Sequence, residues 1–370
     1  MHIKNISWSL QQALQGWGNV DFSRSHGYEL LAALFGFSTY SAFSVAVVPV
    51  RARSLTGCLP TDKAAAARRA RDLGLDATVA GHAADKLVQL LEEAELRVMR
   101  IDDLVVRLGD PYGIDRDDDD EDGPWEGFVA DEDGWICEDT LEGLTAAAKR
   151  NIAAAHYALA LIHAPTDAED GNGIGSEYWY EQAKQGEVLS GVQKEWAEAW
   201  AAHLASVAAH ARHLQQAAEL GNAEALLDMA DQFADPAFFE RGIKNVAADP
   251  RTVADIAERL HRFDAARAWL SRAAEGGDTC AMRDLIETYD HGDPLLCRMW
   301  WHLALLHGED LTQDRYIAIN PDGSIYDWDV GGPAEVGGEG GIKLPSVDAT
   351  QDAIAAERAK TIWKRMRSGS

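Results

Sequence analysis

Three histidines, His203, His210 and His213, stand in the Ala-rich stretch "KEWAEAWAAHLASVAAHARHLQQAAELG". On one helix the first two share a face and the third lies close by, and imidazoles gathered on one face are raw material for a metal site. The chemistry stops there. No Cys or carboxylate stands at ligand spacing, and neither Glu-x-x-His nor His-Glu-x-x-His occurs. The expectation is no metal and no cofactor, with these histidines serving contacts between helices.

Other chemical candidates reduce in the same way. Asp117, Asp118, Asp119, Asp120 and Glu121 are carboxylates that could meet a divalent cation. They lack the alternating spacing and terminal bidentate Glu of a calcium loop, and contiguous like charges repel and stay solvated. "GNGIGSE" and "GGPAEVGGEGG" precede no Lys-Ser/Thr and sit between no strand and helix, so they read as turns rather than phosphate cradles. No Gly-x-Ser-x-Gly and no Cys/His pairing stands out. A non-catalytic protein is expected, and an enzyme with an unrecognised site ranks third.

Arg51, Arg53, Lys63, Arg68, Arg69 and Arg71 form a basic cluster, the basis of an alternative in which a regulator touches nucleic acid. The whole chain argues against it. Sixty-one Asp and Glu against 34 Lys and Arg give a formal charge of −27. That balance opposes broad binding to a phosphate backbone or docking on anionic lipid. The cluster is expected to face carboxylates, either those of residues 115–122 or those of a protein partner.

The elements that would carry these residues are helical. Ala, Leu and Trp are prominent in a 46% hydrophobic composition over 370 residues. "SRSHGYELLAALFGF" has Ser23 or Ser25 as a cap and a Leu30, Leu34, Phe37 stripe. "VAVVPV" is a short extended run, and "TDKAAAARRARDLGL" and "TVAGHAADKLVQLLEEAELRVM" read as two more helices. Cys58, Cys137, Cys280 and Cys297 are scattered, without a CxxC pair, as expected of reduced thiols. The N-terminus has no uninterrupted apolar signal-peptide core, and no apolar run reaches the length of a membrane span. The expected compartment is the cytoplasm.

From Leu141 a pattern recurs. Trp269, Ala273 and Gly277 are four residues apart, as are Trp300, Ala304 and Gly308. His213, Ala217 and Gly221 keep the spacing, and Trp179, Ala183 and Gly186 keep it with one residue missing. A large residue fills the gap between helix pairs, Ala one turn later allows close approach, and Gly ends the helix in a left-handed cap. A single helix pair cannot bury such faces, whereas stacked copies can.

"HYALALIHA" followed by "GNGIGSEYWYEQAKQG", and then "AWLSRAAEGGD" and "MWWHLALLHGEDLT", resemble the Sel-one-like repeat, a tetratricopeptide-related helix pair of bacterial and eukaryotic adaptors. The resemblance covers roughly residues 150–310 and departs from the pattern in the insert 235–257 and the short spacing before Gly186. "DLTQDRYIAINPDGSIYDWDVGGP" is similar to C-terminal extensions of bacterial repeat proteins of this type, and "SHGYELLAALFGFSTYSAF" to a short N-terminal helical module. The implied fold class is all-α, a short α-solenoid of stacked antiparallel helix pairs. The implied order is an N-terminal helical module (1–110), an acidic linker or loop (111–140), the solenoid (141–318), and a loop-rich tail with a C-terminal helix (319–370). The implied function is an adaptor or regulator that binds another protein. Its groove would be lined by first helices, which places Tyr180, Gln182, Arg212, Gln216, Arg267 and Arg272 as partner-binding candidates. Tyr178 and Trp179 are expected in the core.

Overall fold

The computed structural model describes residues 3–15, 22–51, 57–109, 136–165, 176–320 and 335–368. Arg53 and the acid run Asp117–Glu121 lie outside them, as does most of the expected linker 111–140. About 68% of the described residues are helical. The chain divides into two compact units, Met1–Met229 and Ala230–Ser370.

The first unit begins with α1 (Ile3–Gln15), α2 (Arg24–Leu34), α3 (Tyr40–Ala46), β1 (Val47–Arg51), α4 (Lys63–Asp72), α5 (Ala77–Glu93), β2 (Leu96–Arg100) and α6 (Ile101–Gly109). Ser23 caps α2, its hydroxyl accepting from the His26 N–H at 3.3 Å. β1 and β2 pair antiparallel, with Val48 opposite Met99 and Val50 opposite Arg97. The extended run is therefore a strand, as expected. Its partner corrects the sequence reading, which kept Leu96–Met99 in a helix. The helix ends at Glu93, Glu95 turns at φ 53°, and the chain leaves extended. Pairing with a strand some fifty residues away overrides the local helical pattern.

Strand alternation gives the pair two apolar faces. Val47, Leu96 and Val98 join the core built by α1 to α5. Val48, Val50 and Met99 join a second core with α6, α7 (Glu138–Ala148) and α8 (Ala153–Ile162). One apolar core thus runs from Val48 to Leu159, across the region read as a linker. α7 comes close enough to β1 that a Cβ on Gly143 would lie 3.2 Å from Val48 Cγ1. Thr140 Oγ1 donates to the Pro49 carbonyl at 2.6 Å.

Next come α9 (Ser176–Lys184), α10 (Val192–Glu219) and α11 (Ala223–Phe233), with the division between units falling inside α11. The second unit continues with α12 (Ala237–Glu240), α13 (Pro250–Arg259), α14 (Phe263–Glu275), α15 (Thr279–Asp284), a π-helical turn Leu285–Tyr289 and α16 (Pro294–Leu306). β3 (Arg315–Ile319) and β4 (Glu335–Glu339) pair antiparallel in the tail, which carries more order than the loop-rich segment expected. α17 (Ala349–Ser368) packs on α16.

The recurring glycines are caps. Gly186, Gly221, Gly277 and Gly308 have φ of 93°, 90°, 104° and 89°. In each case the next residue's N–H returns to the carbonyl five residues back: Glu187 to Gln182, Asn222 to Ala217, Asp278 to Ala273, Glu309 to Ala304. This double turn satisfies the last carbonyls of a helix. Twice the following residue then opens the next helix, Asn222 accepting from Ala225 N–H at 2.7 Å and Asp278 from Ala281 N–H at 3.0 Å.

Candidate functional site

α10 has 28 residues and α8 has ten. At 1.5 Å per residue they are about 42 and 15 Å long, so the shorter cannot cover the longer. On α10, Val192, Trp196, Trp200, His203, Val207, His210, Leu214 and Ala217 recur every three or four residues, which places them along one face. α8 runs antiparallel along the C-terminal half of that face. His156 meets His213, the Ala160 carbonyl bonds His210 Nδ1 at 2.8 Å, and the His163 carbonyl accepts from Ser206 Oγ at 3.3 Å. There α8 ends.

Burial follows. His210, Leu214 and Ala217 are 4%, 0% and 0% exposed, whereas Val192 and Trp196 are 54% and 39% exposed. α9 packs along the N-terminal half, where only Ala197 is fully buried. Leu204, Val188 and Tyr178 are exposed beside it. The expectation of a core Tyr178 is thus overturned. Its ring meets Trp179 edge-on, with ring centres 5.0 Å apart, and is 57% exposed.

The covered half carries a polar joint. The Ala148 carbonyl can only accept, so His156 donates to it from Nε2 at 3.1 Å and presents a bare Nδ1. His213 Nδ1–H donates to that nitrogen at 2.9 Å, and Arg212 donates to His213 Nε2 at 3.5 Å. The chain of donors is complete only when both imidazoles are neutral. Burial, then the neighbouring His156 and Arg212, push His213 down to about 4. Burial first, then Arg212, also holds His163 below the ordinary value, and burial does the same at His156 against the upward pull of the Ala148 bond.

The histidines singled out in sequence are not gathered. His203 lies against Trp200, with ring centres 5.3 Å apart, His210 bonds α8, and His213 faces His156. Among the described residues no group of three His, Cys, Asp or Glu is placed to hold a metal ion.

The partner-binding candidates divide between the units, Tyr180, Gln182, Arg212 and Gln216 in the first and Arg267 and Arg272 in the second. Several are engaged internally. Lys184 Nζ stands 5.3 Å over the Tyr180 ring, and Gln216 donates to Glu219 at 2.8 Å. Gln182 is half-buried. Arg272 lies over Trp269 at 5.1 Å and donates to the Lys244 carbonyl, on the rim of a groove of about 390 Å³ that Phe239 and Ile243 also line. Arg267 Nε donates to the buried Asp290 carboxylate at 2.7 Å, and Trp300 Nε1 takes its other oxygen at 2.8 Å. Expecting Arg267 free in a groove missed this bond, because nothing local signals a carboxylate 23 residues away.

The basic cluster is largely engaged as well. Arg69 pairs with Glu29 at 2.6 Å, Lys63 with Asp85 at 3.1 Å and Arg68 with Asp62 at 3.6 Å. Arg71 Nε donates to the Ala67 carbonyl at 3.4 Å, and Arg51 is exposed at the end of β1. The open face of α10 is what sequence reasoning missed. Its signal was present in the spacing Val192–Trp196–Trp200–His203, but what packs beside each half, which decides what stays uncovered, was not. No helix among the described residues is long and apolar enough to cross a membrane. Comparison with family models, with curated proteins and with solved structures returns no match for this chain.

Proposed function

We propose that the chain is a non-catalytic adaptor that holds a partner protein on its helical surface, with consecutive helix pairs of the Sel-one-like, α-solenoid kind. The observation that carries the reading is the open half of α10. Exposed Trp196 and Tyr178, on two helices that pack together, are of the types that anchor interfaces, and exposed Val192 and Leu204 add apolar area. The four repeated glycine caps, with Asn222 and Asp278 each starting the next helix, support the repeat reading. The nucleic-acid alternative has less behind it, since Lys63, Arg68 and Arg69 already meet carboxylates.

The test is site-specific photo-crosslinking in the native cell. A photoreactive residue replacing Trp196, Tyr178 or Val188 is expected to give a discrete protein adduct, and one replacing Arg68 is not. Absence of an adduct from every position on the α9–α10 surface removes the adaptor reading for this region.

A further inference from the structure

The open half of α10 continues a face that α8 covers, and its surroundings carry a net negative charge. Between Ser176 and Trp200 stand five carboxylates, Glu177, Glu181, Glu187, Glu195 and Glu198, against Lys184 and Lys194. The two lysines are already paired, Lys184 with Glu181 at 3.0 Å and Lys194 with Glu198 at 3.6 Å. Glu177, Glu187 and Glu195 are exposed, and their carboxylates make no ion pair or hydrogen bond among the described residues. Each precedes an exposed apolar residue in the chain, Tyr178, Val188 and Trp196 respectively.

We infer that this surface docks a cationic amphipathic helix of a partner protein, laid along α10 in line with α8. The inference rests on the adaptor reading and names the partner's chemistry.

Three arguments select that occupant. First, the spacing of Val192, Trp196, Trp200 and His203 is the seam spacing that helices pack along, and α8 already uses its continuation. From Val192 to Ser206, where α8 stops, the seam is about 21 Å long, room for a helix of about 14 residues. Second, the indole of Trp196 and the phenol of Tyr178 offer faces that attract guanidinium and ammonium groups, beside carboxylates that pair with them. Third, the alternatives are repelled. A second copy would bring the same free carboxylates together on a chain of charge −27, and an anionic bilayer would meet the same sign.

The experiment titrates the full chain with three labelled helical peptides of 14 residues. They share one Leu stripe and carry Arg and Lys, Gln, or Glu elsewhere. Fluorescence anisotropy is expected to rank the cationic peptide at least about tenfold tighter than the neutral one, with the acidic one weakest. Its affinity should fall steeply between low and high salt. Trp196→Ala with Trp200→Ala should weaken it by about tenfold or more. Glu187→Gln with Glu195→Gln, which disturbs no packing, should weaken it several-fold at low salt. The same charge change on α5, Glu92→Gln with Glu93→Gln, should leave it unchanged.

Equal binding of the three peptides overturns the inference. So does indifference to the α10 substitutions, self-association through this face in sedimentation, or preferential binding to anionic vesicles. Crosslinks from position 196 to a protein, without cationic preference, would sink the partner chemistry and leave the adaptor reading standing. Failure of every crosslink, with cationic preference retained, would do the reverse.

Discussion

The two halves of α10 carry one seam of similar residues into two environments. Over His210, Leu214 and Ala217 the seam is closed by α8, and its polar groups are spent on that helix. Over Val192, Trp196 and Trp200 it is partly or largely open, with unpaired carboxylates at its edge. The difference lies in what packs beside each half, α8 over one and α9, which leaves Val192 and Trp196 exposed, over the other. Along one continuous helix, the covered stretch holds the fold and the open stretch is left partly in solvent.

The covered half should fail first. Leu214 is completely buried between helices. Leu214→Ala removes that packing and leaves a cavity, so urea denaturation should show a loss of about 2–5 kcal/mol. A loss under about 1 kcal/mol would mean that α8 and α10 are not a packed joint, and the contrast between the halves would disappear.

Arg267 sharpens the contrast from the other unit. It was expected on an open surface, yet it bonds a carboxylate that is almost wholly buried. Arg267→Ala leaves Asp290 with Trp300 as its remaining side-chain donor. Because the guanidinium is half-exposed, the loss should fall below the full cost of breaking a buried pair, at about 2 kcal/mol. An unchanged melting temperature would return Arg267 to the set of available surface residues.

That case marks how far the sequence was legible. Features set within one helix or one turn could be read from it. Ser23 caps α2, "VAVVPV" holds all of β1 but its last residue, and Gly221, Gly277 and Gly308 end helices as their spacing indicated. Features set by distant partners could not. Leu96–Arg100 looks helical until β1 lies beside it, and Arg267 looks solvated until Asp290 is in place. The His156–His213 bond joins residues 57 apart, and sequence reasoning grouped His213 with His203 and His210 instead. For the candidate surface the aromatic residues were in plain view, but exposure is a property of what packs beside a helix.

Acid should loosen the covered half and spare the open one. The His213 value is depressed from 6.5 to about 4, so the unfolded chain binds protons that the native joint refuses. The stabilising contribution is therefore complete above about pH 6.5 and is lost as pH falls toward and through about 4. Protonating His156 puts N–H against N–H across the 2.9 Å bond, and protonating His213 puts an N–H against the Arg212 guanidinium. Melting curves between pH 7 and 4 should show the loss, and His213→Gln, which keeps a polar side chain but cannot titrate, should flatten it over that window. An unaltered pH profile would remove His213 as its source.

The smallest effect is the most telling for function. Trp196 is a large apolar side chain, and if α10 served only the fold, its removal would rank with that of Leu214. Its 39% exposure leaves part of the indole in solvent. The contacts it forgoes in the free protein are contacts that a partner would supply. Trp196→Ala should therefore cost less than Leu214→Ala, at about 1 kcal/mol, because part of the indole already lies in solvent. Denaturation of the wild type and the variant under identical conditions measures this directly. A loss approaching that of Leu214→Ala would show that something in the chain already covers the indole, and the surface offered to a partner would shrink to Val192 and the exposed residues of α9.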